Sequence, residues 1–414
     1  MIAPVVIVGA GLAGLACARH LSAAGRAVLL CEQSDGVGGR VRTDTVDGFL
    51  LDRGFQVLLE AYPEARAHFD YARLGLVPFF PGALVRTEGA FHLVADPFRA
   101  PLDAVSGLFS PIGSLADKLR VLLLRRAAQR GSLEELFRRP ETTTRNALLR
   151  HGFSPTMISR FFEPFLGGIF LGRDLETSSR MLEFVFRMMA DGDTCLPAHG
   201  MGSLSTQLAD ALPAGAVQLR RHVTAVAPDG VRFEDGTHLP ASAVVVATEG
   251  DVAARLTGAF PAPAFRSCAT LYFDAPTAPL RGRKLILNGG LGLVNTLCVP
   301  SDLCPAYAPA GRALVSVTVL GMPSQDDTAL TAAVRAELIA WYGAATVLSW
   351  RHLRTYRIRW AQPDQNPPAL EPAERPVQLT PTLFVAGDHR DTASIHGALA
   401  SGRRAAAAVL DASR

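Results

Sequence analysis

Continuous apolar runs, bounded by glycines or charges, are the clearest pattern along the chain. The first run is Val5–Val8, and three glycines, an alanine-rich segment with helical spacing and a second apolar run that ends at Glu32 follow it. Strands that are buried on both faces of a parallel sheet show such uninterrupted runs. The pattern therefore predicts a strand–turn–helix–strand unit near the N-terminus.

Farther along, the pattern changes from short strands to helices near Pro78 and then returns to strands. A mainly helical segment is predicted from about residue 102 to 189, with Ser154-Pro155 as one helix start, and another helix near 330–341. Residues 264–359 otherwise alternate as antiparallel strands do. The remaining predicted strands lie at 79–82, 83–85, 91–94, 220–226, 231–237 (a hairpin with an Asp-Gly turn) and 243–248.

The first turn has the spacing of a dinucleotide-binding loop, with glycines at positions 9, 11 and 14. Gly9 permits the tight turn, Gly11 lets the backbone approach a pyrophosphate, and Gly14 lets helix and strand pack closely. The N–H groups at the helix start, at Leu12 and Ala13, face the phosphates with the favourable end of the helix dipole. The turn therefore indicates a dinucleotide site.

An acidic residue and a second glycine turn bear on which dinucleotide is bound. Glu32 can accept hydrogen bonds from a ribose diol and would repel a 2′-phosphate. The turn Gly38-Gly39-Arg40 can pass close to a ligand's phosphates, and the guanidinium can reach their charge. On chemistry alone, a surface turn with a solvated arginine explains this second turn equally well.

The same stretch resembles the N-terminal signature of the superfamily of flavin-containing amine oxidases, protoporphyrinogen oxidases and phytoene desaturases. Residues 48–56, with Gly54, Phe55 and Gln56, resemble the family segment that runs to the flavin ring. The resemblance implies FAD as the cofactor. No cysteine lies near the C-terminal flavin motif, so we expect the FAD to be bound non-covalently.

The other end of the chain carries a second signature of this superfamily. An apolar run ends in Gly387-Asp388, and Ser394 and Ile395 begin an alanine-rich helix. Asp388 is placed to bind ribityl hydroxyls, and the helix start offers N–H groups to the N1/O2 edge of the flavin. The resemblance adds Ala398 in this helix, the backbone at Val223 against the adenine, and the strand end at Ala247 as cofactor contacts.

The resemblance implies an α/β fold with a Rossmann-like FAD-binding domain of the glutathione-reductase type and a discontinuous α+β substrate domain. We expect residues 1–77, 195–255 and 360–414 to form the FAD-binding domain. Residues 78–194 and 256–359 then form the substrate domain, as a helical insert and an antiparallel sheet.

The expected activity is dehydrogenation or desaturation of an apolar substrate, such as a polyene, a terpenoid or a tetrapyrrole, by hydride transfer to flavin N5. Dioxygen, a quinone or another compound would be the electron acceptor. Residues 161–171 suit a long apolar pocket, although an ordinary helical core has the same pattern. Amine oxidases of the superfamily place a lysine near the flavin, and residues 265–268 contain none. An FAD-dependent amine oxidase and a non-redox flavoprotein isomerase remain alternatives.

Three residues are candidates for catalytic contact with the substrate or the flavin. His396 is a candidate titrating group within the C-terminal motif, as is His389. Gln56 follows the Gly54 turn, and Trp360 begins a Trp-x-x-Pro element that resembles the protoporphyrinogen-oxidase branch. Structural roles explain both histidines and Trp360 equally well.

Composition narrows the remaining classes. The 414 residues are 49% apolar and suffice for two or three domains, while a formal charge of +3 is too small to indicate a nucleic-acid partner. Six scattered cysteines without metal-ligand spacing predict a reducing compartment and no metal site. Without a signal peptide or a long apolar span, we expect a cytoplasmic protein. The basic amphipathic residues 118–126 leave peripheral membrane contact open beside a solvated helix face.

Overall fold

The computed structural model describes residues 3–107 and 110–413, and a five-stranded parallel sheet lies at its centre. Val5–Val8 is the middle strand, and all four of its residues are buried, as the unbroken apolar run predicts. The strand order across the sheet is Val217–Gln218, Val28–Cys31, Val5–Val8, Ala243–Val246 and Leu383–Val385. The first and last parts of the chain thus belong to the same sheet.

Two layers cover this parallel sheet. On one face the helices Leu12–Ala23 and Ile395–Ala412 pack against each other. On the other face lies a three-stranded antiparallel sheet, whose buried residues pack on Val6, Val8 and Val244. Its strands are Val223–Ala227, Gly230–Phe233 and His238–Pro240. Helix Gly250–Thr257 follows the fourth parallel strand.

A seven-stranded mixed sheet forms the second part of the molecule. Helix Asp327–Tyr342 covers one face, where its Leu330 and Val334 pack against Leu271 and other strand residues. The strand order is Arg351–Pro363, Phe265–Ala275, Ala313–Leu320, Val294–Cys298, Leu285–Asn288, Gly82–Thr87 and Ala90–Ala95. The pair Leu285–Asn288 and Gly82–Thr87 is parallel, and the other neighbours are antiparallel.

A helical layer faces the remaining side of the mixed sheet. It contains Pro101–Gly107, Leu115–Ala128, Leu133–Phe137, Thr144–Arg150, Pro155–Met157, the π-helix Ile158–Phe162, Glu163–Phe170 and Ser179–Asp191. Ser154 caps its helix by accepting from the N–H of Met157 at 3.2 Å, so the predicted Ser-Pro start is confirmed. Residues 108 and 109 of the predicted helical segment lie outside the described residues.

Shorter elements complete the fold. The strands are Thr43–Val46 with Phe49–Asp52, and Leu58–Leu59 and Val77–Pro78 on either side of Thr194–Leu196. The helices are Pro63–His68, Tyr71–Leu74, Gly202–Asp210, Pro300–Leu303 and Ala344–Leu348, with 3-10 turns at Pro305–Tyr307 and Asp388–Arg390. None of the described helices is long and apolar enough to cross a membrane.

The domain limits drawn from the sequence cut through two of these sheets. The edge strand Arg351–Pro363 belongs to the mixed sheet, so that sheet extends beyond the expected limit at 360. The limit at 194/195 divides Thr194–Leu196, and the limit at 77/78 divides its partner strand Val77–Pro78. Composition changes mark these limits only approximately, because a strand continues for as long as its partner offers hydrogen bonds.

Candidate active site

The three-glycine turn forms one wall of a large cavity. A Cβ on Gly9 would lie 2.7 Å from the carbonyl oxygen of Ala247, and one on Gly14 would lie 2.1 Å from that of Gly9. These two glycines are therefore required by close packing inside the protein. A Cβ on Gly11 would meet no atom within 4 Å, and Gly11 lines the cavity. Gly11 thus leaves space for a ligand rather than for the protein.

Helix Leu12–Ala23 presents its N-terminus to the same cavity. Leu12 and Ala13 line the cavity, and the helix has neither a side-chain cap nor an acidic residue in its first turn. The first N–H groups of a helix lack partners within the helix and carry the positive end of its dipole. This end of the cavity is therefore suited to a phosphate group.

The Glu32 carboxylate is held at the cavity wall by two backbone donors. It is buried, and it accepts from the N–H of Ala10 at 2.9 Å and from that of Ser34 at 2.8 Å. Each N–H group bonds to a different oxygen of the carboxylate. Each oxygen therefore keeps a lone pair that can accept from a hydroxyl donor.

The second glycine turn is joined to the C-terminal part of the chain through Arg40. Gly38 and Gly39 have φ values of 113° and 56°, a region that favours glycine. The Arg40 guanidinium donates to Oδ1 of Asp388 at 2.7 Å and to the carbonyl oxygen of Ala361 at 3.0 Å. Both turn glycines, Arg40 and Asp388 line the cavity, so one site is built from distant segments.

A second helix N-terminus faces the cavity at Ile395. Ser394 caps the helix by accepting from the N–H of Gly397 at 3.0 Å, which leaves the first N–H groups without a partner in the helix. Ser394, Ile395 and Ala398 line the cavity beside Gly387. The two helix N-termini, at Leu12 and Ile395, thus belong to one continuous space.

Gln56 presents an unsatisfied polar atom in this space. Its Nε2 donates to the carbonyl oxygen of Arg40 at 2.9 Å, whereas its Oε1 is buried and has no hydrogen-bond partner. Gln56 and Phe55 line the cavity. Gly54 does not, because it is held in the turn, where a Cβ would lie 2.4 Å from Cδ1 of Ile358.

The cavity has a volume of about 1000 Å³ and collects nearly all the cofactor residues expected from the sequence. Val223 and Ala247 line it with the residues above, and of the expected set only Gly14 and Gly54 do not. The donor set fits an FAD molecule on three observations: the open space at Gly11, the orphaned Oε1 of Gln56, and two helix N-termini that face one cavity.

A second part of the cavity has mainly apolar walls, which the helical layer and the mixed sheet supply. Within residues 161–171, which were expected to line it, helical periodicity divides the residues: Phe161 and Phe165 reach the cavity, whereas Phe162 is packed in the core. The apolar lining comprises Val57, Leu59, Phe79, Phe80, Val94, Val121, Leu122, Phe161, Phe165, Ile169, Phe170, Leu171, Met181, Val185, Phe186, Met189 and Leu285.

The charged side chains in this apolar part neutralise one another. Arg125 donates to Asp96 at 2.6 Å, and Arg99 pairs with Asp193 at 2.9 Å. Neither of the chain's two lysines, Lys118 and Lys284, is among the lining residues. The ammonium group of Lys284 lies 5.0 Å from the ring centroid of Phe80 instead.

Two cysteines, Cys31 and Cys268, line the cavity, although the sequence did not place either of them there. Burial raises the pKa of Cys268 to about 12 and that of Cys31 to about 11, the latter against an opposing effect of Arg221. Both thiols are therefore protonated at neutral pH and are poor nucleophiles.

The expectation for His396 must be corrected, because its ring lies outside the cavity wall. The ring packs against Tyr62 and Phe184, at centroid distances of 5.7 and 5.4 Å, and its Nδ1 accepts from the N–H of Glu64 at 3.4 Å. Burial lowers its pKa to about 4, so the imidazole is neutral. Its neighbour Ile395 takes the cavity position, since successive helical residues point about 100° apart.

His389 also lies behind the wall, and Trp360 lies on it. The His389 ring stacks on Phe260 at 5.8 Å, and burial lowers its pKa to about 4. Trp360 lines the cavity and is half exposed, with the Arg359 guanidinium 5.8 Å from its ring centroid. Of the three catalytic candidates, Gln56 and Trp360 reach the cavity and His396 does not.

Several lining residues were missed by sequence reasoning. The pairs Asp96–Arg125 and Arg99–Asp193 join one loop to helix Leu115–Ala128 and to the residue just before strand Thr194–Leu196, and no local motif marks them. Thr296 and Thr318 also line the cavity, from adjacent strands of the mixed sheet. Their positions in apolar strands were a usable signal, because a lone hydroxyl among valines and leucines often faces a polar partner or a ligand.

Comparison with known proteins gives matches over the whole fold. The family model for flavin containing amine oxidoreductases matches residues 12–410. Hydroxysqualene dehydroxylase of Rhodopseudomonas palustris is 28% identical over 99% of this chain and 98% of its own length. Phytoene dehydrogenase of Streptomyces griseus is 27% identical over 62% of this chain, and that alignment spans 56% of the relative.

Two further matches differ in extent. Putrescine oxidase of Kocuria rosea is 50% identical, but over 72 residues, or 17% of this chain and 15% of its own. The crystal structure of an oxidoreductase from Methanosarcina mazei superposes with a TM-score of 0.76 over 97% of this chain and 99% of that one, at 16% identity. At that identity the superposition shows a shared fold and no more.

Proposed function

The chain belongs to the flavin containing amine oxidoreductase family and is an FAD-dependent oxidoreductase. On this premise we propose that it dehydrogenates a long apolar substrate of the polyene, terpenoid or tetrapyrrole class. The observation that carries the proposal is the second part of the cavity. Its walls are apolar, and its charged side chains are paired with one another. Such a pocket favours hydrocarbon and disfavours a free cation, which would lose its hydration without gaining a partner.

The FAD-binding domain in this proposal is Rossmann-like and of the glutathione-reductase type, with limits that differ from those expected from the sequence where a strand crosses them, at Thr194–Leu196 and Arg351–Pro363. Glu32 binds the ribose, and the helix start at Leu12 binds the pyrophosphate. Asp388 binds the ribityl chain, and the helix start at Ile395 contacts the edge of the flavin. Val223 and Ala247 contact the adenine side. The FAD is bound non-covalently, since both cavity thiols are protonated.

The protein's own residues contribute binding, orientation and exclusion of water. FAD supplies two-electron chemistry when it is bound. The apolar walls around Phe165 and Val185 hold the substrate by removing its surface from water. Gln56 and Trp360 lie where the pocket meets the FAD-binding residues, and they orient the reacting carbon. No protein base is assigned, because the ionisable groups of the apolar part are paired or held in their neutral form.

A second candidate function is the removal of a hydroxyl group from a hydroxylated terpenoid. It is supported by the relative of nearly full length, which is a hydroxysqualene dehydroxylase. This reaction would replace a C–O bond with a C–H bond and release water; FAD bound in its reduced form would supply the two electrons, and a proton would have to reach the departing hydroxyl. Thr296 and Thr318 are among the hydroxyl-bearing residues of the wall, and they can hydrogen-bond to such a substrate.

An amine oxidase is the weaker alternative. The match to putrescine oxidase covers a sixth of the chain, whereas the match to the dehydroxylase covers almost all of it. The absence of a lysine from the described cavity wall points in the same direction. The isomerase alternative has no specific observation in its favour.

Anaerobic mixing of the purified holoprotein with candidate substrates tests these functions. We expect polyenes, terpenoids or reduced tetrapyrroles to bleach the visible band of oxidised flavin, and primary amines to leave it unchanged. In a second arm, reduced holoprotein is mixed with a hydroxylated terpenoid, and recovery of the band would establish the dehydroxylase. Bleaching by amines alone would overturn the proposal, and product formed without any net change in oxidation level would establish an isomerase.

A further inference from the structure

Helix Leu115–Ala128 turns an apolar stripe toward solvent. Leu115, Leu119 and Leu123 are 57%, 62% and 63% exposed. At 3.6 residues per turn, these three leucines and Arg126 share a sector of about 80°. A helix on the surface of a soluble protein ordinarily turns its polar residues outward, so this arrangement is reversed.

The exposed stripe is separate from the faces of the helix that pack against the protein. Those other faces contact the core or line the cavity. Leu124 and Ala128 are buried in the core. Val121, Leu122 and Arg125 line the cavity. On the helical wheel Leu122 lies about 20° from Leu115 and about 60° from Leu119, so the exposed stripe borders the cavity wall.

A neighbouring segment extends the apolar surface. Phe98 is 63% exposed and Leu102 is 89% exposed. The Arg125 guanidinium lies 4.7 Å from the Phe98 ring centroid and also pairs with Asp96, so this segment is held against the helix. We call the five residues Phe98, Leu102, Leu115, Leu119 and Leu123 the apolar rim. They are five of the eleven large hydrophobic residues that are exposed in the described chain, and such clustering marks an interaction surface.

The exposed charges on the leucine side of helix Leu115–Ala128 are basic, whereas the exposed Asp103 follows Leu102 in the neighbouring segment. Arg126 and Arg130 are exposed on the side of the leucine stripe. Arg126 lies in the last turn of the helix, and Arg130 lies just beyond its end. The acidic residue of this helix, Asp117, is fully buried, where it accepts from Ser114 and Ser154. An apolar face with a cationic margin matches the hydrocarbon and the anionic headgroups of a phospholipid surface.

We propose that the apolar rim docks on the surface of an anionic phospholipid bilayer. The inference rests on the proposed function in one respect: an apolar substrate partitions into lipid, and a docked rim places the cavity wall at Leu122 beside the membrane. The substrate then passes from the hydrocarbon into the pocket with little exposure to water. Docking itself needs only the rim and its basic margin, and it requires no membrane-spanning helix.

Vesicle co-sedimentation of the full-length holoprotein tests this docking. We expect the protein to bind vesicles of phosphatidylcholine mixed with phosphatidylglycerol. A smaller fraction of the protein should bind vesicles of pure phosphatidylcholine. The triple variant L115Q/L119Q/L123Q should lose about 1000-fold in partitioning, because each leucine contributes roughly tenfold through buried apolar area. The variant R126Q/R130Q should lose about 20-fold on the mixed vesicles alone, at about fivefold for each charge.

The matched control is L149Q/L219Q/L348Q, which removes three exposed leucines outside the apolar rim. It should bind vesicles as the natural protein does, and the visible flavin band reports that all variants are folded. Equal vesicle binding by the rim triple variant and the control triple variant would overturn the proposal. So would sedimentation velocity that shows a dimer, dissociated by the rim triple variant, with no vesicle binding by the natural protein.

The docking and the proposed function fail separately. Vesicle binding is measured without substrate, and flavin bleaching is measured with substrate in detergent micelles and without a bilayer. A protein that binds anionic vesicles through the rim but oxidises only amines keeps the docking and loses the proposed function. A protein that bleaches with terpenoids in micelles but ignores vesicles does the reverse.

Discussion

The guanidinium of Arg40 donates a hydrogen bond to Oδ1 of Asp388 at 2.7 Å, across 348 positions of sequence. Asp388 is buried, and Arg40 also donates to the carbonyl oxygen of Ala361. This contact closes the ring of segments around the proposed FAD site, because the turn at Gly38-Gly39 and the strand end at Gly387 are held together at this point. The cofactor site therefore depends on a contact between residues near the two chain ends.

Replacement of Asp388 with alanine should weaken FAD binding by about 10- to 100-fold. A hydrogen bond between charged groups contributes about 1.5–3 kcal/mol, and Arg40 would lose its carboxylate partner. Titration of the apoprotein with FAD, followed by flavin fluorescence, measures the change. The control is Glu134→Gln, which removes the fully solvated pair of Glu134 with Arg138 and should leave the affinity unchanged. Affinity in D388A equal to that of the natural protein would contradict the assignment.

Two glycines of the first turn should respond differently to alanine. Gly11→Ala places a methyl group in the open cavity, so the apoprotein should keep its melting temperature while FAD affinity falls about 100-fold or more. Gly14→Ala places it 2.1 Å from the carbonyl oxygen of Gly9, which should cost about 2–4 kcal/mol of folding stability. Thermal unfolding of both apoproteins and FAD titration of the folded one measure these effects. Equal loss of stability in both variants would refute the distinction.

The neutral, buried His389 should make the protein sensitive to acid. Burial lowers its pKa from 6.5 to about 4, with smaller opposing and supporting effects of Asp388 and of Arg390, Arg40 and Arg375. Above pH 6.5 the imidazole is neutral in both states. As the pH falls from about 6.5 to about 4, the unfolded chain takes up a proton and the folded protein does not. This contribution to stability is therefore lost across that window, by about 3 kcal/mol at most.

The variant His389→Leu isolates this effect from other titrating groups. Asp52 and Asp391 have pKa values raised by burial to about 6, so their contributions change in the opposite direction across the same window. The difference in melting temperature between H389L and the natural protein cancels those contributions, and it should grow in favour of H389L as the pH falls. A pH-independent difference for H389L would contradict the prediction.

Filling the apolar part of the cavity should select against long substrates. Val185 is buried and lines the pocket, so Val185→Phe reduces its length or width at that point. We expect kcat/KM for the longest apolar substrate to fall about 10- to 200-fold, since each lost methylene contact costs about 1–3 kcal/mol. Val185→Ala should change it much less, and FAD content should stay constant in both. Equal effects on short and long substrates would show that Val185 does not bound the substrate.

Helices, strands and turns that are set by residues close together in the sequence were predictable from the sequence. The helix predicted near 330–341 spans Asp327–Tyr342, and the strand Ala313–Leu320 lies in the segment 264–359 that was predicted to alternate as antiparallel strands do. The Asp235-Gly236 turn is also present, with a φ of 81° at Gly236. Helix caps, tight turns and alternating burial act over a few residues, so the sequence specifies them directly.

Side-chain direction within a motif was less predictable. His396 belongs to the C-terminal motif, yet its ring packs on Tyr62 and Phe184 while Ile395 reaches the cavity. Nothing in residues 394–403 indicates which face of the helix Tyr62 and Glu64 will cover. That choice depends on the docking of helix Pro63–His68 against helix Ile395–Ala412, a contact between distant parts of the chain.

By itself, the sequence determined the family and the cofactor, because each signature lies within a short segment whose glycines and helix start are local requirements. The tertiary structure alone decided the form of the substrate pocket. In that structure Asp96 pairs with Arg125, and Arg99 pairs with Asp193. The His396 ring lies outside the cavity wall, and Leu119 is exposed to solvent beside the cavity. These features arise from packing between segments far apart in the chain, and no local pattern encodes which surfaces will meet.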